Sequence, residues 1–136
     1  MSPEITPIGV VESPLTDRES APKQGDEGAP DAWLRFEPSV LDGLQGIEPG
    51  DDLILLTWFD RARRDVLRVH PRSDPSREPQ GVFNTRSPDR PNPIGLHRVE
   101  VVSIEGARVQ VRNLEALDGT PIVDVKPVLS EDVGER

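Results

Sequence analysis

Residues 96–111 read LHRVEVVSIEGARVQV, and this stretch decides the fold. Two runs rich in β-branched residues flank Glu105-Gly106, an arrangement typical of a β-hairpin. Val109 and Val111 alternate with polar residues, so the second run has one buried face and one face in water. The stretch therefore predicts two sequential strands paired antiparallel.

Further runs of strand length lie on both sides of this hairpin. Residues 32–37 alternate apolar and polar side chains, as expected of a half-buried strand. Residues 53–59 are almost continuously apolar, and we expect this strand to be buried on both faces. Residues 39–45 predict one or two helical turns capped by Ser39. Three more strands are predicted, at 5–11, 66–70 and 122–128.

Turns rich in Gly and Pro separate these strands and fix the fold class. The chain contains 15 prolines and 11 glycines, which act against long helices. Many short strands between such turns favour a barrel over a sheet with crossover helices. The prediction is an all-β, single-domain, β-barrel-like fold with short helical turns and long loops.

Length and composition limit the function classes. We interpret residues 1–136 as one domain, with a core over about 5–129 and a flexible tail at 130–136. The chain has no cysteine and two histidines, so we expect neither disulfides nor a bound metal. No signal peptide and no apolar run of membrane-spanning length is present, which predicts a cytoplasmic protein without a membrane partner.

Charge is distributed unevenly along the chain. The formal net charge is −9, yet the stretch from Arg61 to Arg98 holds nine arginines and four acidic residues. Such a stretch can present a phosphate-binding face to a polyanion. Its arginines can equally pair with nearby acidic residues on a solvated surface.

A proline-rich loop lies inside the arginine-rich stretch. Residues 84–96 read NTRSPDRPNPIGL, and three prolines in six positions restrict their own φ angles and those of the preceding residues. The loop is therefore largely ordered before a ligand arrives, which lowers the entropic cost of binding. It presents Arg86, Arg90 and Asn92 from a stiff backbone. A rigid structural corner is the alternative interpretation.

Residues 86–95, which read RSPDRPNPIG, resemble the signature of the TsaA-like (TrmO) family. Four other blocks match in the same order: PIGVVESP at 7–14, PKQG at 22–25, GVFNT at 81–85 and LDGTPIVDVKP at 117–127. Because five ordered blocks span nearly the whole chain, the sequence is identified as a member of this family.

The resemblance implies a function. Members of the family are compact all-β homodimers that bind S-adenosyl-L-methionine near the dimer interface. Characterised relatives methylate the N6 nitrogen of threonylcarbamoyladenosine in tRNA, so tRNA is the implied substrate and partner. Two alternatives keep the cofactor: a methyltransferase with a different RNA or small-molecule acceptor, and a non-catalytic S-adenosylmethionine-binding module.

The resemblance also implies site residues. Cofactor contacts are expected from Lys23, Gln24, Phe59, Asp60, Arg61, Arg86, Leu96, Leu114, Leu117 and Asp118. Substrate contacts are expected from Arg90 and Asn92. Relatives often carry a histidine where Asp60 stands, and many bacterial relatives have a C-terminal extension that is not found here.

The chemistry needs positioning and one proton acceptor. Methyl transfer from a sulfonium is an in-line displacement, so orientation can supply much of the rate. The attacking nitrogen must lose a proton, for which Asp124, Asp118 and Asp60 are candidates. Lys126 shares a face with Asp124, so it is either a further catalytic candidate or a salt-bridge partner. We interpret His70 and His97 as hydrogen-bonded structural residues or surface groups rather than catalysts.

Overall fold

A computed structural model describes residues 2–18, 30–71 and 74–129. The strands are β1 (Gly9–Glu12), β2 (Ala32–Phe36), β3 (Asp52–Trp58), β4 (Arg68–Val69), β5 (Gln80–Gly81), β6 (Ile94–Glu105), β7 (Arg108–Arg112) and β8 (Pro121–Pro127). In the described ranges, 3-10 helices span Pro38–Leu44 and Val82–Asn84.

Six of the strands form a closed barrel in the order β1-β2-β7-β6-β3-β8, and every neighbouring pair is antiparallel. Pairing of Gly9 with Ile122 closes the ring between β1 and β8. Strands β4 and β5 pair only with each other, within the excursion that connects β3 to β6. The all-β, barrel-like prediction is confirmed.

The predicted hairpin is strands β6 and β7. Glu105 pairs with Arg108 across a two-residue turn in which Gly106 has a φ of 61°. Strand β6 pairs with β3 over residues 94–100 and with β7 over 100–105, and its register shifts between Val101 and Ser103. Such an irregularity bends a strand, and here it carries β6 from one neighbour to the next.

The core lies inside the barrel. The alternation predicted for β2 is confirmed, because Ala32, Leu34 and Phe36 are buried. The remaining core residues are Val11, Leu53, Leu55, Val99, Val101, Val109, Val111, Leu114, Ala116 and Ile122. One face of each barrel strand supplies most of this core, as the period-two geometry of a strand requires, and Leu114 and Ala116 add to it from the segment after β7.

Two local predictions are wrong. Strand β3 is buried on one face only, with Leu53, Leu55 and Thr57 inside, because the other face of a barrel strand points outward. Ser39 does not cap the helical turns, since the 3-10 helix begins at Pro38 and Glu37 precedes it without a side-chain cap. The predicted tail 130–136 lies outside the described residues. No helix in the described ranges has the length and apolarity to cross a membrane.

Gly95 lies where β6 approaches the end of β3. A Cβ atom at this position would come within 2.5 Å of Cζ of Phe59 and of Oγ1 of Thr57. The Thr57 hydroxyl is fully buried and hydrogen-bonded, so it cannot move aside freely. Glycine at this position is therefore required by packing.

We expect Gly95→Ala to lower the free energy of unfolding by about 1–3 kcal/mol, since overpacking forces side chains off their positions. Gly43→Ala is the matched control, because nothing lies within 4 Å of a Cβ at Gly43. Urea denaturation of both variants checks this expectation. Equal stabilities for the two variants would contradict the packing role.

Candidate functional site

Arg90 fixes the shape of the proline-rich loop. Its guanidinium donates hydrogen bonds to the backbone oxygens of Val82, Thr85 and Ser87 at 2.5, 2.6 and 2.8 Å. A planar guanidinium offers five donors in a fixed geometry, and three carbonyls use most of them here. Arg90, predicted to bind substrate, is thus largely committed to the loop, as the structural-corner interpretation expects.

Asn92, the other predicted substrate contact, is held by Arg64. Nη2 of Arg64 donates to Oδ1 of Asn92 at 2.9 Å, and Nε donates to the backbone oxygen of Pro91 at 2.7 Å. The same guanidinium lies 5.2 Å from the ring centroid of Trp58. Arg64 therefore ties the loop to the end of β3.

Asp89 connects the loop to two distant segments. Its carboxylate accepts hydrogen bonds from both terminal nitrogens of Arg18, at 3.1 and 3.2 Å, and from the backbone N–H of Arg63 at 2.9 Å. Partial burial raises the pKa of Asp89, but these hydrogen bonds and charges outweigh it, so the pKa lies below its usual value.

Arg61 and Asp118, both predicted cofactor contacts, hold the segment after β1. Arg61 donates to the backbone oxygens of Thr16 at 2.9 Å and of Asp118 at 3.3 Å. Oδ1 of Asp118 accepts from the backbone N–H of Ser13 at 3.0 Å. Their polar groups therefore fix the chain immediately before residues 19–29, which are outside the described part and contain Lys23 and Gln24.

A cavity of about 440 Å³ lies against the outer wall of the barrel. Its walls are Asp52 and Ile54 of β3, residues 96–100 of β6, Asn113, Glu115 and Arg86. Leu96 and Arg86, two of the predicted cofactor contacts, therefore face the same space. Strand β6 supplies one wall, and the proline-rich loop supplies Arg86 across from it.

Most charges around the cavity are paired. Asp52 pairs with Arg98 at 3.1 Å, and Glu100 pairs with Arg112 at 3.8 Å. Arg86 makes no hydrogen bond or ion pair with any residue in the described ranges. An exposed guanidinium without a protein partner is suited to a carboxylate or phosphate, which it can grip with two parallel hydrogen bonds.

A chain of three polar side chains runs from the barrel interior to this cavity. Nε2 of His97 lies 2.7 Å from Oγ1 of Thr57, and Nδ1 lies 2.5 Å from Oε1 of Glu115. Thr57 and His97 are buried. Phe59 packs edge-on against the imidazole, with ring centroids 5.6 Å apart. Of the two alternatives for His97, the structure shows the buried, hydrogen-bonded one and not a surface group.

The remaining predicted residues occupy separate places. Leu114 is fully buried in the core, so its side chain is closed to a ligand. Leu117 is half-buried, and its carbonyl accepts from the hydroxyl of Thr120 at 2.7 Å. Asp60 is exposed, two residues after the end of β3. Asp124 and Lys126 form an ion pair at 3.4 Å on the outside of β8 and do not line the cavity.

Sequence reasoning missed Glu115 and Thr57 as members of the site. The available signal is the alternation in β6 and β3, which turns His97 and Thr57 inward from diagonal positions, since Thr57 pairs with Gly95 and His97 with Leu55. Glu115 lies between buried Leu114 and Ala116, so its side chain points away from them. In the described ranges, no three His, Cys, Asp or Glu side chains are grouped to hold a metal ion.

The closed antiparallel barrel and its partly polar outer cavity define a small all-β barrel domain. The chain belongs to the family described as the tRNA-methyltransferase O N-terminal domain, whose model matches residues 10–132. This agrees with the family resemblance found in the sequence motifs.

Individual relatives are similar over most of the chain. One is a probable S-adenosyl-L-methionine-binding protein of Methanothermobacter thermautotrophicus, 43% identical over 93% of this chain and 90% of its own. Another is an S-adenosyl-L-methionine-binding protein of Archaeoglobus fulgidus, 46% identical over 90% of this chain and 86% of its own.

The crystal structure of TrmO from Pseudomonas aeruginosa has a similar fold. It superposes with a TM-score of 0.77 at 28% identity and covers 99% of this chain. This chain spans 60% of that protein's length.

We expect Asp89→Asn to lower stability at neutral pH by about 1 kcal/mol, since the Arg18 ion pair is largely at the surface. A lowered pKa in the folded state means that the stabilisation is present above the unfolded pKa of about 3.9 and is lost as pH falls through the folded value. The difference in stability between wild type and variant should therefore shrink below about pH 4. Thermal unfolding at several pH values measures it, and a constant difference would contradict the ion-pair role.

Proposed function

We propose that the protein is an S-adenosylmethionine-dependent methyltransferase that acts in the cytoplasm on the N6 nitrogen of threonylcarbamoyladenosine in tRNA. Family membership and the names of its relatives support this function. The observation that carries it is the cavity in which Arg86, which has no partner in the described ranges, lies together with Leu96 and Glu115.

The residues of the cavity fit the cofactor. Its volume of about 440 Å³ is within the range of small-molecule sites. Arg86 suits the carboxylate of the methionine part of the cofactor. Ile54 and Leu96 supply apolar contact surface. When bound, the cofactor supplies an activated methyl group.

The predicted cofactor residues divide into two groups under this proposal. Arg86 and Leu96 contact the cofactor directly from the cavity wall. Arg61 and Asp118 act by positioning, because their polar groups hold the segment that leads to Lys23 and Gln24. Phe59, Asp60 and Leu117 complete the proposed set, together with the backbone of Leu114, whose side chain is buried.

The excursion between β3 and β6 supplies the proposed tRNA surface. A second cavity, of about 630 Å³, lies there, and its lining residues include Arg63, Arg68 and His70. Arg63 is paired with Asp65 at 3.1 Å, whereas Arg68 makes no ion pair within the described ranges. A surface that bears arginines in an otherwise acidic chain directs a polyanion to this side of the molecule.

A second copy of the chain is the proposed partner for the outer face of β3 and β6. Leu56 pairs with Leu96 and Trp58 pairs with Ile94, and all four side chains point outward. Ile94 is 43% exposed and Leu96 48% exposed, which leaves apolar surface in water. A homodimer formed through this face would place the cavity beside the interface.

Arg86→Ala should abolish measurable cofactor binding in titration calorimetry, because it removes the cation of the cavity that pairs with no other residue in the described part of the chain. Arg68→Ala is the control, since it removes an exposed arginine of the same excursion that does not line this cavity. Wild-type affinity in the Arg86 variant would refute the assignment of Arg86 to the cofactor.

The function is tested by incubating the protein with labelled S-adenosylmethionine and total tRNA, followed by mass spectrometry of the digested nucleosides. We expect methylated threonylcarbamoyladenosine that is absent without the protein. Affinity for tRNA should also fall as salt rises, by a log–log slope of about −0.7 to −0.9 per phosphate neutralised. Cofactor binding without transfer would instead support a binding module, and a different methylated product would identify another acceptor.

A further inference from the structure

Glu115 is the carboxylate of the cavity that has no arginine partner. Asp52 and Glu100, the other carboxylates of the wall, are paired with Arg98 and Arg112. Glu115 is bonded to a histidine instead, through one oxygen only. Its Oε2 makes no hydrogen bond within the described ranges, and 17% of its side chain is exposed.

The hydrogen bonds behind Glu115 have a defined direction. An ionised carboxylate can only accept, so Nδ1 of His97 carries a proton and donates to Oε1. In the neutral imidazole, Nε2 then accepts from the Thr57 hydroxyl. Because Thr57 and His97 are buried within the barrel wall, they hold the carboxylate in one orientation while its second oxygen remains unbonded.

The other candidate carboxylates are less suited to accept a proton at the cavity. Asp124 is paired with Lys126 on β8 and does not line the cavity. Asp118 is bonded to the backbone of Ser13. Glu115 combines a place on the cavity wall, partial shielding from water and a fixed orientation.

We propose that Glu115 is the proton acceptor of the transfer reaction, with His97 and Thr57 as positioning residues. This inference rests on the proposed methyltransferase function. The acceptor nitrogen forms its bond to the methyl carbon, the carbon–sulfur bond breaks with its electron pair left on sulfur, and the N–H proton passes to Oε2 of Glu115. The products are the methylated acceptor, a neutral thioether and a protonated Glu115.

Glu115→Gln tests the role directly, since it keeps the shape but removes the basic oxygen. At saturating cofactor and tRNA, the single-turnover rate should fall by at least about 100-fold, the usual size of a general-base contribution. Cofactor affinity in calorimetry should stay close to wild type. The wild-type rate should rise with pH to a plateau, and this rise should be missing in the variant.

Other charged groups that face Glu115 must be considered in that pH profile. They are Asp52, Arg86, His97, Arg98 and Glu100, all of which line the same cavity. All five remain in the Glu115→Gln variant, so a rise that disappears there belongs to Glu115. Glu115→Asp, which keeps a carboxylate at a shorter reach, should restore part of the rate.

A second measurement does not depend on activity. In ¹⁵N-labelled protein without cofactor, the imidazole signals of His97 should show a protonated Nδ1, and Glu115→Gln should shift that signal. His70→Gln separates the two histidines, because His70 is exposed and bonded to the backbone oxygen of Arg77. An unprotonated Nδ1 in His97 would overturn the positioning role.

The outcomes separate the two proposals. If wild type transfers a methyl group and Glu115→Gln does so at the same rate, Glu115 is not the acceptor while the methyltransferase function stands. If the variant loses only cofactor affinity and keeps its saturated rate, Glu115 is a binding residue and the inference is again overturned. If wild type transfers no methyl group to any acceptor, the proposed function and this inference fail together.

Discussion

The whole barrel depends on the double pairing of β6. Its first half is hydrogen-bonded to β3 and its second half to β7, with an irregularity between Val101 and Ser103. A barrel closes only when strand tilt and register agree around the ring. One long, bent strand meets this requirement for β3, β6 and β7, which leaves β1, β2 and β8 to complete the ring.

The candidate site is built on the same strand. Alternation along β6 turns Gly95 and His97 toward the interior and Leu96 toward the cavity. Gly95 admits the Phe59 ring and the Thr57 hydroxyl, and that hydroxyl then meets His97. Alternate residues of this one segment therefore make the interior hydrogen bonds and form the outer cavity wall. Their relative positions are set by the barrel wall itself.

The sequence predicts those parts of the structure that depend on local pattern. The hairpin and the alternation of β2 follow from residue type at period two, and both are confirmed. The prediction that β3 is buried on both faces is wrong, because an apolar run does not reveal whether the second face of the strand packs against another layer or meets solvent. The barrel leaves that face outside, where Leu56 and Trp58 are half-buried.

The site is only partly predictable, because its contacts join distant residues. The motif identifies Arg86 and Arg90 as notable, but it does not show that Arg90 binds three carbonyls while Arg86 has no partner in the described ranges. Arg18 and Asp89 are 71 residues apart, and no local pattern connects them. The alternation in β6 indicates that His97 is buried, but it does not indicate that Glu115 is its partner.

The contacts of Arg90 also have a consequence for the order of folding. They span three, five and eight residues of sequence, so they close only short loops. Closing short loops costs less chain entropy than pairing β1 with β8 near the two ends of the described chain. The loop held by Arg90 is therefore able to order early, as a local unit. Its ordering shortens the effective connection between β3 and β6 before these two strands pair.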